Sequence, residues 1–179
     1  YETAWSSGVA LCECDVSLTA DGHLVLCHDR ELARLALEPD AARAAAPVGT
    51  LALRDVLALR LKSGCRATTL AEVLTSASTL SPAPCAASAA VAARPRLLVE
   101  LKAEPGGGDP EAGEGGLAAA RALVELLAAR PDLAARVELV MSFDAHLCRA
   151  FKREAVARLG AALAPRVLLL SELPEAGCL

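Results

Sequence analysis

Three side chains capable of hydrolytic chemistry fall within the short stretch Cys12 to Asp29: Glu13, Asp15 and His28. Val9, Leu11, Glu13 and Asp15 alternate with Ala10, Cys12, Cys14 and Val16, the period-2 pattern of a strand, so the two carboxylates share a face. Residues two apart on a strand stand about 6.5 to 7 Å apart along it. Carboxylates at that spacing reach one hard cation, and holding them together in a dry place without one is costly. Asp21-Gly22 is a hairpin-turn pair, and Leu24 to Leu26 is apolar enough for a return strand. A two-residue turn would pair Ala20 with His23, Leu18 with Val25 and Asp15 with His28, which sets the imidazole across from Asp15. Glu100 and Lys102 form a second polar pair, at the end of the apolar run that begins at Arg96. Such a run is the signature of a buried parallel strand whose last residues reach a functional face. A buried glutamate there needs a cation, which Lys102 or a metal ion supplies.

Five strands are expected to position these groups, near residues 9–18, 23–28, 96–102, 137–143 and 166–171. Tyr1 to Ser7 reads as the last turns of a helix stopped by Gly8, with Tyr1 and Trp5 packing inward from one face. The link between the first two strands is too short for a crossover helix, so the helix after the first strand is absent. Arg30 to Pro47 is a loop or short helix, in which Leu32 and Arg34 read as a surface turn. Leu53, Val56, Leu57 and Leu61 predict an amphipathic helix over 50–61, ended by Gly64. Thr69 and Glu72 form a capping box at the next helix start, which makes Glu72 a cap rather than a catalytic acid. Ser76 to Ala93 is uncharged and of low complexity, a frayed helix end followed by an insertion. Ala103 to Gly116 is a glycine-rich loop without phosphate-loop spacing. Helices follow over 117–130 and 145–159, the latter capped by Asp144. Strand, helix, strand, helix, strand implies right-handed crossovers and a parallel sheet.

The chain has 179 residues and a net charge of -4. That charge, with Lys and Arg scattered, leaves no electrostatic footprint for nucleic acid. No run is apolar and long enough for a transmembrane segment. The hydrophobic content of 54% with 2% aromatics reflects abundant alanine, which buries little area, so the core is expected to be weak for its size. Seven cysteines occur without a zinc spacing and read mostly as small apolar side chains. Cys12 and Cys14 lie opposite the carboxylates, under the helices. Their spacing to Cys27 leaves a disulfide within the hairpin open. His23 beside the turn and His146 at a polar helix start read as exposed.

At these residues the chain resembles the glycerophosphodiester phosphodiesterases. Tyr1, Ala4 and Gly8 fit the opening of that family's pattern. Glu13, Asp15, Val16, Leu18, Thr19, Asp21 and Gly22 fit its Glu-x-Asp-Val-x-Leu-Thr-x-Asp-Gly core, and His28-Asp29, the Leu32-x-Arg34 spacing after it, Glu100-Leu101-Lys102 and Ser142-Phe143-Asp144 are similar to its continuation. The resemblance implies an irregular TIM-type α/β barrel, of which residues 1–179 are a partial domain. A whole barrel takes about 250 residues. The first strand, which in the family carries His-Arg-Gly and a second catalytic imidazole, and the last strands are expected to be missing, so the chain alone should be inactive or nearly so. The resemblance further implies hydrolysis of a small-molecule glycerophosphodiester to glycerol 3-phosphate and an alcohol. A divalent cation, Ca²⁺ or Mg²⁺, would be held by Glu13, Asp15 and Glu100. His28, Glu13 and Lys102 would be catalytic, with Lys102 and Phe143 touching substrate. Two alternatives stand beside it: a related barrel phospholipase D acting on lysophospholipid or sphingomyelin, and a non-catalytic binding domain of the same fold. The compartment stays open.

Overall fold

The computed structural model describes residues 1–37, 40–80, 94–102 and 114–170. All five expected strands form: β1 (Leu11–Leu18), β2 (Leu24–Leu26), β3 (Arg96–Leu101), β4 (Val137–Ser142) and β5 (Arg166–Leu169). They lie in the order β2-β1-β3-β4-β5, with β1, β3, β4 and β5 parallel and β2 antiparallel at one edge. Among the described residues this sheet is open rather than closed into a barrel. Seven α-helices lie between or before its strands among the described residues: α1 (Glu2–Ser6), α2 (Ala41–Ala44), α3 (Leu53–Leu57), α4 (Leu70–Thr79), α5 (Glu114–Ala129), α6 (Pro131–Ala134) and α7 (Ala145–Leu159).

Alternation along the strands divides the molecule into two packing units. Cys14, Val16, Leu97, Val99 and Leu101 point to one face, where Leu70 and Leu74 of α4, Leu123 and Leu127 of α5 and Phe151 of α7 cover them. This is the principal core, and Cys12 and Cys14 lie on its side as expected. A second, smaller cluster gathers Val25 of β2 with Cys27, Leu32, Ala36, Val48, Val56 and Leu59 of the excursion between β2 and α4. Cys12, Cys14, Cys27, Cys65 and Cys148 are free thiols, which closes the question of a disulfide within the hairpin.

Three local expectations are corrected. Trp5 is buried, whereas Tyr1 is exposed and only leans on it, with ring centroids 5.8 Å apart. The helix expected over 50–61 shrinks to Leu53–Leu57 behind a 3-10 turn at Val48–Thr50. The cause is tertiary pairing. Ala20 N–H donates to Leu51 O at 2.9 Å and Leu53 N–H to the Asp21 carboxylate at 2.9 Å, which hold Leu51 and Ala52 extended. At the far end Leu37 N–H donates to Arg60 O and Lys62 N–H to Leu35 O, both at 2.8 Å, so those residues serve a strand-like bridge instead of a helix. The hairpin register is the third. Gly22 N–H donates to Thr19 O at 3.0 Å, Gly22 takes φ +84, and Thr19 pairs with His23. That is a three-residue loop with a left-handed glycine, one residue longer than the two-residue turn. Pairing therefore runs Leu18 with Leu24 and Ser17 with Val25.

The capping box at Thr69 and Glu72 forms, and Asp144 caps α7 by accepting from His146 and Leu147 N–H. The expected insertion around 81–93 and most of the glycine-rich loop lie outside the described residues. At the opposite end of the sheet from the carboxylates, Glu138 of β4 bridges Arg96 of β3 and Arg166 of β5, tying three neighbouring strands together.

Candidate active site

Parallel pairing of β1 with β3 places Asp15 directly beside Glu100 and Glu13 beside Leu98. Because Leu97, Val99 and Leu101 face the helices, Glu100 and Lys102 point the other way, onto the face that Glu13 and Asp15 share. Sequence positions far apart thus converge. One ligand oxygen from each of Glu13, Asp15 and Glu100 lies within 4.8 Å of the other two. Glu100 is buried, and Glu13 is on the rim.

The ammonium of Lys102 sits among these carboxylates, donating to Asp15 Oδ1 at 2.7 Å and to Glu100 Oε1 at 2.6 Å. These contacts raise its pKa although burial works against them. Glu13 interacts with the ammonium only at Coulombic range. Its pKa is pushed up by burial first and then by the charges of Asp15 and Glu100, against the lowering influence of Lys102 and His28. Three hard oxygen donors grouped in this way fit a divalent cation.

His28 stands near this cluster but not where the two-residue turn would have set it. The extra loop residue brings Cys27 opposite Asp15, with Cys27 N–H donating to Asp15 O at 3.1 Å. His28 follows after β2 has ended, its side chain 68% exposed. Its Nδ1 lies 2.8 Å from Asp29 Oδ1, and Arg34 Nε donates to Asp29 Oδ2 at 2.8 Å. Arg34, read from the sequence as part of a surface turn, is therefore a partner of the His-Asp pair. The signal was its place shortly after that pair. Cys27 Sγ donates to the Asp29 carbonyl at 2.9 Å, and burial raises this thiol to about 11, so it remains a donor.

Phe143 follows β4 at the carboxylate end of the sheet and is 52% exposed. Among the described residues this ring is therefore not part of the core. His23 and His146 are exposed, as expected. No helix among the described residues is long and apolar enough to cross a membrane.

Residues 1–175 match the profile described as the glycerophosphoryl diester phosphodiesterase family. No curated protein matches the chain. A glycerophosphodiester phosphodiesterase from Parabacteroides distasonis is 27% identical, with a TM-score of 0.60, over 85% of this chain and 51% of its own. A Silicibacter pomeroyi protein described under the same family name is 24% identical, with a TM-score of 0.64, over 95% of this chain and 57% of its own. An Oleispira antarctica phosphodiesterase solved with its product sn-glycerol-3-phosphate is 20% identical, with a TM-score of 0.57, over 98% of this chain and 60% of its own. The chain thus spans little more than half the length of the solved structures it matches.

Proposed function

The chain belongs to the glycerophosphoryl diester phosphodiesterase family, and from that premise we propose that the protein hydrolyses a glycerophosphodiester to glycerol 3-phosphate and an alcohol. Residues 1–179 form part of a single barrel domain in this reading. The observation that carries it is the convergence of Glu13, Asp15 and Glu100 around a positive charge at the end of two parallel strands.

Glu13, Asp15 and Glu100 would hold a divalent cation, Ca²⁺ or Mg²⁺. When bound, that ion supplies charge that polarises the phosphate and lowers the pKa of a nearby hydroxyl. The remaining steps fall to the chain's own groups. Lys102 has three N–H donors and spends two on Asp15 and Glu100, which leaves the third for a phosphate oxygen. It acts as a point charge against the negative charge that grows during displacement. His28 moves a proton to or from the reacting oxygens, on the open side of the cluster. Glu13, the carboxylate with the raised pKa, combines ion binding with a place close to that proton traffic. Phe143 offers an apolar wall to the substrate. Overall, water is split across one P–O bond: the phosphorus keeps the glycerol oxygen and gains a hydroxyl, and the departing alcohol takes the proton.

The decisive experiment is calorimetric titration of Ca²⁺ and Mg²⁺ into the full-length protein carrying this chain and into its Glu13→Ala/Asp15→Ala variant. It is paired with hydrolysis of glycerophosphocholine by the same proteins. Loss of both ion binding and turnover in the variant is expected. Unchanged ion affinity would remove the site.

A further inference from the structure

We infer that Asp29 and Arg34 are positioning residues for His28, fixing its tautomer and ring orientation so that Nε2 is the nitrogen that exchanges protons with substrate; the inference rests on the assignment of proton transfer to His28. A histidine side chain 68% exposed among the described residues, just past the end of a strand, has little packing to choose its rotamer. Two polar contacts take over that task. Nδ1 of His28 lies 2.8 Å from Asp29 Oδ1, and the second oxygen of the same carboxylate accepts from Arg34 Nε at 2.8 Å. A neutral imidazole donates from one nitrogen only, so an ionised acceptor at Nδ1 keeps the proton there and leaves Nε2 free as an acceptor.

The acceptor is itself held. Arg34 and then His28 lower the Asp29 carboxyl to about 2, so it stays ionised at any working pH. The Cys27 thiol anchors the Asp29 carbonyl at 2.9 Å. On the other side, Lys62 Nζ donates to the Arg34 carbonyl at 2.9 Å, and Lys62 N–H to Leu35 O at 2.8 Å. The chain Arg34, Asp29, His28 is thus tethered at both ends to backbone that the second hydrophobic cluster orders. As a plain surface ion pair, Asp29 and Arg34 would contribute little to stability. A role in orienting the imidazole gives that pair an effect on chemistry out of proportion to its effect on folding.

Two measurements on the full-length protein test this. The first is a two-bond proton–nitrogen correlation spectrum of histidine-labelled protein at alkaline pH, with His28 assigned by a His28→Gln variant. The Nδ1–H tautomer is expected for His28, giving way to the Nε2–H form in Asp29→Ala. The second is glycerophosphocholine hydrolysis. Asp29→Ala and the size-preserving Asp29→Asn are expected to lower kcat about 10- to 100-fold with KM nearly unchanged. Arg34→Ala should lower kcat less and add nothing in the Asp29→Ala background, and Arg34→Lys should restore part of the loss. An Nε2–H tautomer in the unmodified protein, kcat within twofold in both Asp29 variants, or additive effects of the two positions would each overturn the inference. Failure of the underlying reading looks different. There His28→Ala would keep its kcat, the catalytic role of the pair would fall with it, and the spectrum would still report whether Asp29 sets the tautomer.

Discussion

Replacing Lys102 with Met should make the fold depend on a divalent ion. In the native chain the ammonium lies 2.7 Å from Asp15 and 2.6 Å from Glu100, with those side chains 17% and 11% exposed and the lysine 27%. Methionine keeps much of the length and apolar stem but leaves Glu13, Asp15 and Glu100 facing one another without compensation. Removing one partner of a buried pair costs about 3–5 kcal/mol, and the residual exposure here argues for about 3. For a chain of this size that corresponds to a fall in Tm of about 6–12 °C. The assay is thermal unfolding followed by circular dichroism at about pH 8, where carboxylates are ionised, in EDTA and in excess Ca²⁺ or Mg²⁺. An ion present at about 100 times its Kd returns about 2.7 kcal/mol, so most of the deficit should vanish. The unmodified chain should gain less from the same ion, because its ammonium already neutralises part of the cluster and must share the oxygens. Equal gains in the two proteins, or no deficit for Lys102→Met in EDTA, would refute the idea that lysine and metal serve the same charges.

Other expectations are more local. His28→Ala in the full-length protein should lose about 10²- to 10⁴-fold in kcat with ion affinity barely changed, while His146→Ala leaves turnover intact; a larger loss at His146 would reassign the proton transfer. Arg66 and the Thr69 N–H hold the Glu72 carboxyl near 2, below its ordinary 4.5. A depressed carboxyl contributes stability above its unfolded pKa and loses it as pH falls through the folded one. Denaturation midpoints should therefore drop between about pH 4.5 and 2, less steeply in Glu72→Gln, which should also cost about 1 kcal/mol at neutral pH through the weakened cap. Phe151 is fully buried between α7 and the sheet, and Phe151→Ala should cost about 3–5 kcal/mol, read by urea denaturation; a cost under about 1 kcal/mol would mean that the principal core is not packed around it.

The strands were legible because their signal is local. Alternation in β1 and the continuous apolar run of β3 identify buried ladders, and the same alternation tells which face Glu13, Asp15, Glu100 and Lys102 share. The capping box at Thr69 and the cap at Asp144 were equally readable, since a cap is decided within one turn. What the sequence hid were outcomes set by distant partners. Leu51 and Leu53 look helical until the hairpin turn claims their carbonyl and N–H, and Leu61 until residues 35–37 arrive beside it. The hairpin register turned on Thr19, whose pairing with His23 lengthens the loop by one residue and moves His28 out of the ladder. Arg34 was legible only as a family spacing after His28-Asp29, and its contact was not, because a cation five positions after an aspartate in a loop has no periodicity to betray it.

The carboxylates and the imidazole stand on different packing units, and the two units need not melt together. The carboxylates and Lys102 ride on β1 and β3, backed by the principal core, whereas His28, Asp29 and Arg34 belong to an excursion whose own cluster is small. Cooperative segments open with free energies that follow the apolar contact beneath them. Amide hydrogen exchange should then be faster at Leu37, Val48 and Lys62 than at Val99 or Leu123. Warming would first populate molecules that still bind the ion but have lost the group that moves the proton. Ion binding and turnover would accordingly fail at separate temperatures.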